Sequence, residues 1–103
     1  MKDFVMNNQI LCKTNSTEHG VEFLKRLPLR DVFKVTVEKE RAVGSPAKVT
    51  FFFSNGDVVM ILGAFSTGYE GSCVFGLYEV LIECGFHEED ARRVFSPGTR
   101  LVF

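Results

Sequence analysis

Apolar and polar residues alternate with a period of two over about 31–39, and this alternation predicts a β-strand. Phe33, Val35 and Val37 fall on one side of the strand, and charged or hydroxyl side chains fall on the other. A strand with one apolar and one polar side is typical of an antiparallel sheet that covers a core on one face.

The strongest local signal is an Asn-Gly pair between two β-favouring runs, at about 48–54 and 57–63. Asn55-Gly56 suits a two-residue hairpin turn, because both central residues of that turn need positive φ. A turn of that length fixes the register and assigns the side chains to two faces. One face would carry Val49, Phe51, Phe53, Val58, Met60 and Leu62, and the other Thr50, Phe52, Val59 and Ile61.

Both faces of this predicted hairpin are mainly apolar. Apolar surface left in water forgoes about 25 cal/mol per Å², so the second face needs a cover. The candidates are the first helix, the N-terminal segment and a second copy of the protein. The C-terminal run 100–103 is also apolar and β-prone, and we expect it to join a sheet in its own chain or in a partner. The predicted interface residues are Phe52, Val59, Ile61, Leu101 and Phe103.

Three segments have helical patterns. The longest, at about 73–84, is apolar except for one polar stripe, which predicts a helix buried around most of its circumference. Gly85 fits its left-handed C-terminal cap. A shorter helix is predicted at about 17–27, where it follows a run of capping residues. Another is predicted at about 87–94, with acids first and cations last.

The remaining segments are loops or are open to two interpretations. Residues 1–13 fit either a short strand at Ile10 to Cys12 after an Asn7-Asn8 turn, or a frayed helix. Residues 39–47 and 96–99, each containing Pro and Gly, are predicted to be a loop and a turn. Together the elements predict one α+β domain over 1–103. It has an antiparallel sheet of at least three strands, with the 73–84 helix packed on one face.

Length and composition fit this prediction. The chain has 103 residues and a mass of 11.6 kDa, the size of one domain, with 46% apolar and 24% charged residues. No apolar run approaches the ~20 residues of a membrane-spanning helix, and the first residues contain no apolar signal-peptide core. Residues 1–56 carry a formal charge of +3 and residues 57–103 a charge of −4, an asymmetry that would let two faces or two copies attract one another.

Few residues offer metal, redox or nucleic-acid chemistry. Cys12, Cys73 and Cys84 form no paired spacing, and His19 and His87 match no metal motif. No metal or cofactor is therefore predicted, and free thiols fit a cytoplasmic protein. Basic residues come at most in adjacent pairs, which argues against nucleic-acid binding.

The segment from Gly63 to Gly76 has the composition of a ligand-binding loop, because glycines lead into the start of the long helix. Cys73 is a weak candidate nucleophile there, since a helix N-terminus lowers the pKa of a thiol, but no histidine lies nearby in sequence. Tyr69 fits either an exposed anchor or a lid folded over the core. The candidate ligand-binding residues are Gly68, Tyr69, Glu70, Gly71, Ser72 and Cys73.

These patterns support three functional hypotheses. The first is an interaction or regulatory domain that forms a homodimer and has no catalytic activity. The second is an anion- or small-ligand-binding protein, or a minor enzyme, that uses the glycine-rich segment at about 66–76. The third is an immunity-type or phage-encoded protein that binds one protein partner.

Overall fold

The chain folds as an α+β domain with one mixed, mostly antiparallel sheet and helices on one of its faces. The computed structural model describes residues 2–6, 9–40, 45–96 and 99–103, with side chains from residue 9 onward. The strands are β1 (Lys2–Met6), β2 (Gln9–Lys13), β3 (Val32–Lys39), β4 (Ala47–Phe53), β5 (Val58–Phe65) and β6 (Arg100–Val102). The helices are α1 (Thr17–Lys25), α2 (Ser72–Cys84) and α3 (Glu88–Ala91), with short 3₁₀ helices at Leu29–Asp31 and Arg92–Phe95.

The sheet contains six strands in the order β1-β2-β5-β4-β3-β6. All neighbouring strands are antiparallel except β2 and β5. The strand alternative for residues 1–13 is thus confirmed, and β2 forms the parallel pair. The C-terminal strand β6 pairs with β3 of its own chain, which decides between the two predicted locations.

The β4–β5 hairpin is present, but its predicted register is wrong by one residue. Phe52 pairs with Val58 and Phe51 with Val59, because the loop has three residues rather than two. The Phe53 N–H donates to the carbonyl of Asp57, and the Gly56 N–H donates to the carbonyl of Phe53. Gly56 has φ +97°, as in a type I turn followed by a left-handed residue.

This shift exchanges the faces of β5. Val59 and Ile61 join Val49 and Phe51 beneath the helices, where Val59 is 1% exposed and Ile61 is fully buried. The expectation that these two residues face a partner loses its basis, because it depended on the two-residue turn. Val58, Met60 and Leu62 of β5 lie on the opposite face instead.

The core lies between the sheet and the helices. Helix α1 begins at its Ser16 cap, where the Ser16 Oγ accepts from the His19 N–H at 3.1 Å, and it ends two residues earlier than predicted. Helix α2 ends at Gly85, whose φ of +100° confirms the left-handed cap. The predicted 87–94 helix is divided between α3 and the 3₁₀ helix that follows it. Residues 41–44 of the predicted 39–47 loop, residues 97–98 of the predicted 96–99 turn, and Asn7-Asn8 lie outside the described residues.

Candidate functional site

The glycine-rich segment is held against the domain. The Ser66 Oγ donates to the carbonyl of Ser45 at 2.6 Å, and the Gly68 N–H donates to the carbonyl of Val94 at 2.8 Å. Thr67, between them, is 2% exposed. The start of the segment is therefore a tied connection between β5 and α2.

Tyr69 folds back over the segment. It packs against the core, and a Cβ atom on Gly71 would lie 2.5 Å from Cε2 of its ring. Tyr69 therefore lies as a lid folded over the core and not as an exposed anchor. Glu70 and Ser72 are exposed, and Gly71 forms the N-cap of α2 without a side-chain hydrogen bond. The six candidate ligand-binding residues are contiguous, and Ser72 and Cys73 line a groove whose described lining contains one cation, Lys25, beside three carboxylates.

Two glycines of the helices serve close packing. A Cβ atom on Gly76 would overlap Cγ2 of Thr17 where α1 crosses α2, and one on Gly20 would lie 2.7 Å from Cβ of Ala64. Glycine therefore lets α1 approach both α2 and the sheet. This function accounts for Gly76 without a ligand.

Cys73 is half-buried in a groove of about 700 Å³ between α1 and α2. As far as the described residues go, no histidine lines this groove, so no candidate base meets Cys73 there. Cys84 is buried on the inner side of α2, and desolvation together with the charge of Glu83 raises the pKa of its thiol to about 12. Cys12 is also buried, and no disulfide joins the three cysteines. Within the described part of the chain no cluster of His, Cys, Asp or Glu has the arrangement of a metal site.

One face of the sheet carries no helix in the described structure, and we call it the open face. Its side chains follow from the register, in which Leu11 pairs with Met60, and Gln9 and Phe52 both pair with Val58. Five of its apolar residues are half-buried and do not pack against the core beneath the helices: Leu11, Phe52, Val58, Met60 and Leu62. Val102, which pairs with Thr36 on the same face, is 44% exposed.

Basic residues border the open face. Lys34 lies over the Phe52 ring, 5.4 Å from its centroid, and Lys48 pairs with Glu38 at 3.5 Å. The register places Lys13 and Arg100 on the same face, beside Leu62 and Glu38. Among the strand residues whose side chains the structure describes, four cations and one carboxylate therefore surround the apolar centre.

The predicted interface residues separate into two groups. Phe52 lies on the open face, whereas Val59 and Ile61 lie in the core. Leu101 pairs with Val37 on the helix side. The Phe103 ring contacts Phe86 at a centroid distance of 6.1 Å, and the Arg93 guanidinium lies 4.4 Å from the Phe103 centroid.

The outward side of α2 is a second apolar surface, which the sequence interpretation missed. Phe75 is 51% exposed and Ile82 is 38% exposed, and Tyr78 lies between them on the same side. The Phe95 ring contacts Phe75 at 4.9 Å and Tyr78 at 5.5 Å. The i, i+3, i+7 spacing of 75, 78 and 82 was a visible signal, but the wide apolar arc of α2 concealed it.

Comparison with known proteins does not add to this geometry. Neither a family model, a curated protein nor a solved structure matches the chain. None of the described helices is long and apolar enough to cross a bilayer. The two apolar surfaces are therefore the features of the molecule that point to a function.

Proposed function

We propose that the protein is an interaction domain without a catalytic role, and that two copies associate through their open faces. The observation that carries this proposal is the group of five half-buried apolar side chains on the face without a helix. A soluble sheet that is exposed on one side normally presents polar residues there. Three adjacent strands, β2, β5 and β4, contribute instead to one apolar surface.

The size of the face limits the strength of the association. Six strands about 4.8 Å apart and up to about 27 Å long give a face of roughly 600 Å². A standard interface buries about 800 Å² per partner, and smaller ones are typical of weak complexes. We therefore expect a dissociation constant in the micromolar range, about −6 to −8 kcal/mol.

Charge determines how salt acts on the dimer. A two-fold contact brings two open faces together, each bordered by four cations and one carboxylate. Like charges at the edge of an apolar contact repel, and salt screens them over a Debye length of about 8 Å at 0.15 M. The dimer should become tighter between about 0.05 and 0.5 M salt. A contact between the open face of one copy and the acidic helices of another would become weaker.

The test is sedimentation velocity over about 1 to 300 μM, with Met60→Lys on the open face and Ile82→Lys on α2 as the matched control. Met60 is at the centre of the face, and losing its contact in both copies costs about 2 kcal/mol, a factor of roughly 30 in the dissociation constant. We expect Met60→Lys to need a roughly thirtyfold higher concentration than the wild type to dimerise, and Ile82→Lys to behave as the wild type does. Circular dichroism confirms that both variants are folded.

Two results would refute the dimer. In one, the wild type remains at 11.6 kDa throughout. In the other, Ile82→Lys dissociates the particle and Met60→Lys does not. Phe52→Lys repeats the test at a second open-face position. The three thiols without a disulfide support a reducing compartment, and we propose a cytoplasmic location on that basis.

A further inference from the structure

The outward side of α2 has features that the dimer does not use. Phe75, Tyr78 and Ile82 form an apolar ridge along the helix, and Phe95 extends it on one side. The open face lies on the other side of the sheet, so the two surfaces can be occupied independently.

Two grooves border this ridge, and Glu79 lines both of them. One, between α1 and α2, has a volume of about 700 Å³ and includes Phe75 in its lining. The other, near the end of α2, has a volume of about 500 Å³, with Tyr78, Ile82 and Phe86 as its apolar lining. A partner in both grooves would therefore contact the apolar ridge, because ridge residues line each groove.

Carboxylates line both grooves. They are Glu18, Glu22, Glu79, Glu83 and Glu88, and the single cation among the lining residues is Lys25. Glu79 pairs with Lys25 at 3.2 Å, and Glu88 pairs with Arg92 at 2.7 Å. Within the described residues, Glu18, Glu22 and Glu83 have no ion-pair partner. The surface thus combines an apolar ridge with unneutralised negative charge in both adjoining grooves.

We propose that this surface binds a cationic amphipathic helix of a partner protein. An apolar ridge that lines two adjoining grooves suits a helix that presents apolar anchors at i, i+3 or i+4 and i+7. Lysine or arginine beside those anchors would neutralise the carboxylates, and complementary charge gives both specificity and a faster encounter. Nucleic acids and anionic membranes are disfavoured, because they would meet carboxylates.

The test uses three synthetic peptides of about 14 residues, four helical turns. The first is an amphipathic helix of leucine and lysine. The second has glutamate in place of each lysine, and the third keeps the lysines but has serine in place of each leucine. Fluorescence anisotropy should show saturable binding of the first peptide, at least tenfold weaker binding of the third, and no binding of the second.

Two variants and one control locate the contact on α2. Ile82→Lys should weaken binding of the leucine-lysine peptide at least tenfold, since it places a charge in the apolar centre. Glu83→Gln should weaken it roughly threefold, as expected for one exposed charge pair. Phe33→Lys should leave it unchanged, although Phe33 is more exposed, at 63%, and lies in β3. Binding should also decrease with salt, opposite to the dimer.

Equal binding of the first and third peptides would overturn the proposal, as would retention of full affinity by Ile82→Lys. Absence of saturable binding at millimolar peptide would also overturn it. If Ile82→Lys lowered the sedimenting mass of the protein alone, the occupant would be a second copy and not a foreign helix. The Met60→Lys variant separates the two proposals, because it should lose the dimer and keep the peptide.

Discussion

The close contact between α1 and α2 makes an unusual prediction for Gly76→Ala. In most helix interiors this change stabilises the protein by about 1 kcal/mol, because alanine has the higher helix propensity. Here the new methyl group would overlap Cγ2 of Thr17, and it would also lie 3.4 Å from Cγ2 of Val21 and 3.5 Å from Cε1 of Phe65. The contact should therefore reverse the sign of the effect.

The magnitude depends on whether Thr17 can move. Its β-branched side chain has few rotamers, and its Oγ1 donates to the carbonyl of Ala64 at 2.5 Å. Rotation would break that hydrogen bond, which contributes about 0.5–1.5 kcal/mol, whereas separation of the helices costs about 1–3 kcal/mol. After subtraction of the helix-propensity gain of about 1 kcal/mol, we expect a net loss of up to about 2 kcal/mol in the free energy of unfolding.

Urea unfolding of four proteins tests this reasoning: the wild type, Gly76→Ala, Thr17→Ser and the double variant. Serine keeps the hydroxyl group that bonds Ala64 and lacks the methyl group that would overlap. Gly76→Ala should destabilise the wild type and be neutral or stabilising in the Thr17→Ser background, with a coupling of about 1–2 kcal/mol. If Gly76→Ala is equally stabilising in both backgrounds, the helices are not in the contact described.

Three further predictions concern single positions. Gly63→Ala should lower the free energy of unfolding in urea by about 2–3 kcal/mol. Gly63 has φ +93°, and an added Cβ atom would lie 2.5 Å from the carbonyl oxygen of Thr14. A loss below about 0.5 kcal/mol would contradict that geometry. Ser16→Ala should lower stability by about 1 kcal/mol through loss of the α1 cap, whereas Ser16→Asn should restore most of it. Burial and Glu83 raise the pKa of the Cys84 thiol from 9.0 to about 12, so above about pH 9 the unfolded chain loses a proton that the folded protein keeps. Stability should therefore decrease with pH up to about 12, and more steeply in the wild type than in Cys84→Ala between about pH 8 and pH 10.

Local patterns in the sequence predicted most elements of the fold. The α1 cap, the α2 helix with Gly85 at its end, and the β3, β4 and β5 strands each depend on neighbouring residues. The register of β4 and β5 depends on one turn residue, because an Asn-Gly pair suits both a two-residue and a three-residue loop. The assignment of Val59 and Ile61 to a face changed with it.

Non-local pairing was the part that could not be predicted. Nothing in residues 9–13 indicates that their parallel partner is β5, since parallel neighbours share no turn.

The outward apolar side of α2 was missed for a related reason. Periodicity measures how wide an apolar arc is, but the positions of α1 and of the Arg92–Phe95 turn decide how much of that arc is covered. Phe75 and Ile82 remain outside that cover.

The parallel β2–β5 pair has a consequence for how the protein folds. Its partners are 49 residues apart in the chain, as Gln9 and Val58 are, whereas β3, β4 and β5 are joined in sequence. Distant pairings form late, because the loop that they close must first lose its entropy. During synthesis, β1 and β2 leave the ribosome well before β5, the strand with which β2 pairs, has been made. Until β5 is made, Leu11 and its neighbours in β2 lack the strand with which they pair in the folded protein, and an unpaired strand edge can pair with another chain.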